Sequence, residues 1–156
     1  VTTLIKCANG QTIVLSHDTN SPRPYSLNFR VQGTKGLWMK DSKSIYIEDR
    51  SPQSHKWEDD EKYLREFDHP LWKRFSEAKS TLSQSGHGGM DFIMRFRIIE
   101  CLRQGKPLDQ NVYEGCFWSA VAPLSEASVA QGGVPQKFPD FSRGGWIKTN
   151  PLAIVN

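Results

Sequence analysis

TTLIKCANGQTIVLSH, residues 2–17, decides how the chain begins to fold. TTLIKCA and QTIVLSH flank Asn9-Gly10, a dipeptide suited to the positive φ that both central residues of a type I′ turn require. A β-hairpin is therefore predicted. Leu27, Phe29 and Val31 alternate with Asn28, Arg30 and Gln32, the pattern of a third strand with one buried face. GTKG (33–36) turns the chain into GLWMK, and SIYIE (44–48) makes a further short strand. The first fifty residues read as a meander of four or five antiparallel strands.

Beyond Ser51 the composition shifts to mixed charge, with Trp57, Tyr63, Trp72 and Phe75 spaced through it. EDDEKYLREF and PLWKRFSEAKS read as short amphipathic helices, Pro70 opening the second. After the break SQSGHGG, the stretch MDFIMRFRIIECLRQG carries Asp91 in its first turn, Arg103 in its last and Gly105 just past its end, the signature of a helix. A second long helix is predicted from about residue 111 to 131, ending at Gly132-Gly133 and kinked at Pro123. Val112, Cys116, Ser119, Ala120 and Ala127 would let it lie close to a neighbour. Strands followed by helices predict an α+β fold: one domain over residues 1–156, an open, largely antiparallel sheet with helices packed on one face. The other face is left for water or a partner, with Trp38 and Tyr46 as candidates for that surface.

A chain of 156 residues, 37% hydrophobic and 24% charged, suits a single globular domain with a real core. The net charge of +3 is small and its basic residues are interleaved with acidic ones, so nucleic-acid binding is not indicated. No apolar run approaches the roughly 18 residues of a membrane span, and no charged-then-apolar leader is present. The chain starts inside a strand pattern and without methionine, which reads as a piece of a longer protein. Cys7, Cys101 and Cys116 form no CxxC pair and are odd in number, so they read as free thiols rather than a zinc site or a disulfide framework.

Two segments stand out as candidate sites. In HDTNSPRPYS (17–26), Pro22 and Pro24 fix their own φ and push Ser21 and Arg23 toward extended backbone. The loop is stiff before anything binds, which lowers the ordering cost of recognition. Tyr25 offers a flat apolar face and one hydroxyl, suited to stacking on a sugar ring; the competing reading is a tyrosine packed over the sheet edge. His17 and Asp18 leave the strand on opposite faces, so a catalytic pair is not expected, and Asp18 is assigned to an Asx turn. In GHGGMD (86–91) three glycines let the backbone approach another group at a helix start, with His87 placed to reach a ligand or partner domain; the competing reading is a local turn. The acidic run Glu58 to Glu61 reads as solvated surface, and it lacks the two facing carboxyls of an ordinary glycosidase. No GxGxxG, Walker, GxSxG or HExxH motif occurs.

HDTNSPRPYSLNFRVQGTKGLWM, SIYIE, HPLWKRF, GHGGMDF and WSAVAPLSEASVAQGGVPQKFPDF together resemble the C-terminal half of the NAD-dependent glycosidases of family 109. Their characterised activity is α-N-acetylgalactosaminidase, and they sit within the wider glucose-fructose oxidoreductase and inositol dehydrogenase family. The resemblance implies a substrate-pocket and oligomerisation domain of that family's C-terminal type. Its partners would be a carbohydrate, the parent's own N-terminal NAD-binding Rossmann domain, and a second copy through the sheet face. It implies hydrolysis by oxidation at sugar C3, elimination of the aglycone, addition of water and reduction. Tyr25 takes the position of the family's sugar-contacting tyrosine, with Arg23 and His87 shaping the pocket or meeting the other domain. The catalytic residues and the NAD site would lie upstream of Val1, leaving this chain with neither, with no metal, and inactive alone. The same domain in an NAD(P)-dependent sugar dehydrogenase, or a non-catalytic interaction module, are the alternatives. Some relatives carry export signals, so the compartment stays open.

Overall fold

A computed structural model of the chain describes residues 1–75 and 86–149. In chain order the strands are β1 (Thr2–Lys6), β2 (Thr12–Ser16), β3 (Arg30–Gln32), β4 (Gly36–Met39), β5 (Ser44–Ile47) and β6 (Glu58–Asp59). The helices are α1 (Glu61–Phe67), α2 (Pro70–Arg74), α3 (Met90–Arg103), α4 (Val112–Ser119) and α5 (Val121–Ala130), with 3₁₀ turns at His87–Gly89 and Gly145–Lys148. The fold is α+β with open antiparallel sheets. Its elements form two compact units, one from Val1–Ser21 with the described part of 80–153, the other from the described part of Pro22–Lys79.

In the first unit β1 and β2 form the predicted hairpin, with Leu4 opposite Val14 and Ile5 opposite Ile13. Its turn is not the type I′ expected at Asn9-Gly10. Only Gly10 has positive φ, at 92°. The Gly10 N–H donates to the Cys7 carbonyl at 3.0 Å and the Cys7 N–H to the Gln11 carbonyl at 2.8 Å. That is a three-residue loop in which one left-handed glycine restores the strand twist, so Asn9 stays in ordinary backbone. Thr3 donates its hydroxyl to Ser125 of α5 at 2.8 Å, joining hairpin to helix.

The helix punctuation read from sequence largely holds. Asn111 caps α4 by accepting from the N–H groups of Tyr113 (2.9 Å) and Glu114 (3.1 Å), while the Glu114 carboxylate accepts from the Asn111 N–H. This is a capping box. The long helix predicted over 111–131 is in fact two, broken at Ala120. Pro123 has no N–H to give the Ser119 carbonyl, so the ladder fails one turn before the proline. Ala120 is buried and Cys116 half-buried, but Val112 is exposed and belongs to no close-packed stripe. Gly132 and Gly133, at φ 74° and 89°, end α5 as predicted, the Gly133 N–H returning to the Ser128 carbonyl.

In the second unit β3, β4, β5 and β6 form a separate four-stranded meander. The expected third strand over 27–32 is cut to Arg30–Gln32, because Asn28 sits at φ 44° and breaks the extended run. Val31, Trp38 and Ile45 lie opposite one another on one face. A Cβ on Gly36 would come within 2.8 Å of the Tyr46 carbonyl oxygen, so glycine is what lets β4 pass β5 this closely. Tyr63 of α1 is buried and gives its hydroxyl to Glu58 at 3.0 Å. Arg50 lies over the rings of Tyr63 and Phe67 at 5.2 and 5.1 Å while pairing with Glu66. Pro70 opens α2 as predicted, with the His69 imidazole accepting the Leu71 N–H at 3.1 Å; the expected continuation into SEAKS lies outside the described residues.

The acidic run is not the solvated face predicted for it. Asp60 is 4% exposed and accepts the Trp38 indole N–H at 2.7 Å. Glu58 is held below the ordinary carboxylate range, chiefly by the Lys62 ammonium at 2.6 Å. The physical reason is local: an indole turned inward needs an acceptor, and the start of α1 supplies it. Asp60→Ala is expected to cost about 2 kcal/mol by leaving that N–H unpaired, whereas Asp60→Asn keeps an acceptor and costs less; urea midpoints followed by tryptophan fluorescence separate the two.

Candidate functional site

Residues 17–26 cross from the first unit to the second, and each side makes local hydrogen bonds within its own unit. The β1–β2 ladder runs on to His17, which exchanges two 2.8 Å bonds with Val1. Asp18 then accepts the N–H groups of Asn20 (3.0 Å) and Ser21 (3.2 Å), the predicted Asx turn. At the far end Ser26 donates its hydroxyl to Asp41 and accepts the Asn28 N–H at 2.9 Å. Tyr25 is left 89% exposed. It is therefore not a tyrosine packed over the sheet edge, which was the competing reading. Arg23 is also exposed.

The second unit holds an open, mostly apolar hollow of about 460 Å³ on its sheet, lined by Val31, Gly36, Leu37, Trp38, Ile45 and Ile47 together with Thr34 and Lys35 of the β3–β4 turn. Tyr25 and Arg23 do not line it. Among its lining residues there is no carboxylate for acid or base chemistry.

His87 lies in the first unit, in the turn leading into α3. Gly86, Gly88 and Gly89 take φ of 88°, 67° and 99°, and His87 itself φ 45°. Its Nδ1 lies 3.1 and 3.2 Å from the two Asp91 carboxylate oxygens, and the side chain is 75% exposed. The spacing His-x-x-x-Asp at a helix start was visible in the sequence, yet Asp91 was read only as a favourable first-turn charge. Tyr25 and Arg23 belong to the second unit and His87 to the first.

Further along α3, Arg97 makes a bidentate pair with Asp109, Nε and Nη2 donating at 2.8 and 2.7 Å, and also reaches Glu100. Those Asp109 bonds hold the guanidinium further above its already high ordinary pKa. Cys101, 1% exposed, packs against this cluster and is a free thiol, as are Cys7 and Cys116. The tail turns on Asp140, which accepts from the Ser142 hydroxyl and N–H and the Gly144 N–H; those donors, the hydroxyl foremost, keep its carboxyl below the usual range. Both clusters hold backbone in place. Among the described residues no group of three His, Cys, Asp or Glu is arranged to hold a metal ion, and no helix is long and apolar enough to cross a membrane.

Residues 1–148 match the family described as glycosyl hydrolase 109, C-terminal domain. A "Glycosyl hydrolase family 109 protein" of Parabacteroides distasonis is 49% identical over 151 residues, covering 97% of this chain and 32% of the relative. An "Alpha-N-acetylgalactosaminidase" of Tannerella forsythia is 48% identical, again covering 97% of this chain and 31% of the relative. "Glycosyl hydrolase family 109 protein 1" of Akkermansia muciniphila is 50% identical over 159 residues, covering 99% and 33%. The chain thus spans about a third of the length of the curated relatives it matches.

Proposed function

Because the chain belongs to glycosyl hydrolase family 109, as its C-terminal domain, we propose that it is the sugar-recognition and assembly part of an enzyme acting on α-N-acetylgalactosaminides. The observation that carries this reading is Tyr25. A phenol that follows Pro22 and Pro24, next to a Ser26 hydroxyl held by Asp41, stands 89% exposed, and no hydrogen bond or ring contact to it is found among the described residues. Large, rigid aromatic faces left in water suit stacking on a sugar ring, the hydroxyl taking one polar contact. Near-50% identity to a protein named for that activity supports the sugar class. Arg23 and His87 are assigned to shaping the pocket or meeting the remainder of the enzyme.

The resemblance implies NAD, and the residues present do not fit it. No GxGxxG occurs in the sequence, and the glycine-rich start of α3 already has the Asp91 carboxylate turned against Gly86 and His87. A pyrophosphate there would meet a like charge. The redox steps of the reaction therefore belong to polypeptide other than these residues. A full-length enzyme containing this domain is expected to release nitrophenol from a nitrophenyl α-N-acetylgalactosaminide, dependent on NAD and without accumulating NADH. Steady NADH build-up would instead favour a net sugar dehydrogenase.

The apolar hollow supports the assembly half of the proposal. Val31 is 51% exposed beside the half-buried Trp38, Ile45 and Ile47, an apolar strip of sheet that a partner could cover. A second copy meeting this face is the expected occupant, and light scattering showing a strict monomer at high concentration would count against it.

A further inference from the structure

We propose that Asp91 locks the His87 imidazole with its proton on Nδ1, so that Nε2 presents a bare lone pair as the acceptor for a sugar hydroxyl. This rests on the reading of His87 as part of the sugar-binding surface and assigns the chemistry it would use.

A carboxylate can only accept, and Nδ1 lies 3.1 and 3.2 Å from its two oxygens, so Nδ1 must bear the hydrogen. The neutral ring then has its lone pair on Nε2. An unconstrained histidine side chain prefers the opposite tautomer, so the pair inverts what the ring would choose alone. The backbone is arranged around this contact. A Cβ on Gly86 would collide with the Asp91 carboxylate, so glycine at that position is what admits the carboxylate to the turn. His87 itself takes a left-handed φ of 45°, a conformation unfavourable for a residue with a β-carbon, and its ring lies within hydrogen-bond distance of Asp91. The ring remains 75% exposed, and no described residue bonds its Nε2.

The ligand class follows from the charges. An anion is disfavoured by Asp91, and a metal lacks companion ligands among the described residues. A neutral donor such as a sugar hydroxyl is the partner that a solvent-facing acceptor fits. Asp91 is thus a positioning residue acting through His87.

The test is ¹⁵N NMR of the labelled chain at about pH 8.5, above the ordinary imidazole range, with His87→Gln assigning the ring signals. Wild type is expected to show protonated Nδ1 and bare Nε2 as the major form. Asp91→Ala should lose that form in favour of Nε2–H, and Gly86→Ala should do the same by displacing the carboxylate. An unchanged amide fingerprint in Asp91→Ala guards against unfolding. A wild-type ring with its proton on Nε2 overturns the inference. Titration with N-acetylgalactosamine should move the Nε2 resonance in wild type and not in Asp91→Ala. If the Tyr25 ring signals move while Nε2 stays still, the acceptor role fails and the sugar-binding reading survives; if neither moves, both fail.

Discussion

Arg97→Ala is expected to lower the unfolding free energy by about 3 kcal/mol, roughly two orders of magnitude in the ratio of folded to unfolded chain. The Arg97 side chain is 12% exposed and places two N–H groups on Asp109, a third on Glu100 and its Nη2 3.4 Å from the Cys101 sulfur. Removing it takes a planar cation from between two carboxylates and leaves a hole beside a fully buried thiol. The figure sits at the low end of the range for broken buried pairs because Asp109 is 28% exposed and water can still reach it. The double variant Arg97→Met, Asp109→Leu removes both charges and should recover most of the loss. Urea denaturation of the set is decisive: if the single variant unfolds within about 0.5 kcal/mol of wild type, the pair does not organise this unit.

Tyr25→Ala is expected to do the reverse, leaving stability within about 0.5 kcal/mol of wild type but cutting kcat/KM of a full-length enzyme about 100-fold. With the side chain 89% exposed, its removal exposes little, and no hydrogen bond to it is found among the described residues. Against a sugar, the ring face and the hydroxyl together are worth roughly 2–3 kcal/mol, each 1.36 kcal/mol being tenfold in rate. Tyr25→Phe keeps the face and loses one hydrogen bond, so about a fivefold to tenfold loss is expected. Unaltered turnover and sugar affinity in both variants would remove Tyr25 from the site.

Several features were legible because they are written over a few residues. The β1–β2 hairpin, Pro70 at the head of α2, Asp91 and Arg103 at the ends of α3, the glycines after α5 and the Asx turn at Asp18 all follow from spacing and local backbone preference. Even where detail was missed, the error was one of count. The Asn9-Gly10 turn uses an extra residue, and the proline of α5 breaks its helix rather than bending it. The stiff loop that carries Tyr25 was likewise readable, since proline restricts φ wherever it stands.

What only tertiary structure decided are pairings between residues whose attraction has no period. Asp60 looked like one charge in a solvated run until the Trp38 indole, 22 residues away, turned out to need it. Arg97 and Asp109 sit 12 residues apart, with a helix end between them. The division of the strands into a hairpin and a separate four-stranded sheet, and the late start of β3 after Asn28 at φ 44°, were likewise decided in the folded chain. Local chemistry sets turns, caps and stiffness within a few residues, because the groups involved are already adjacent in the chain. Burial changes the worth of a charge or a donor only once distant segments exclude water from it, and that exclusion is a property of the folded arrangement.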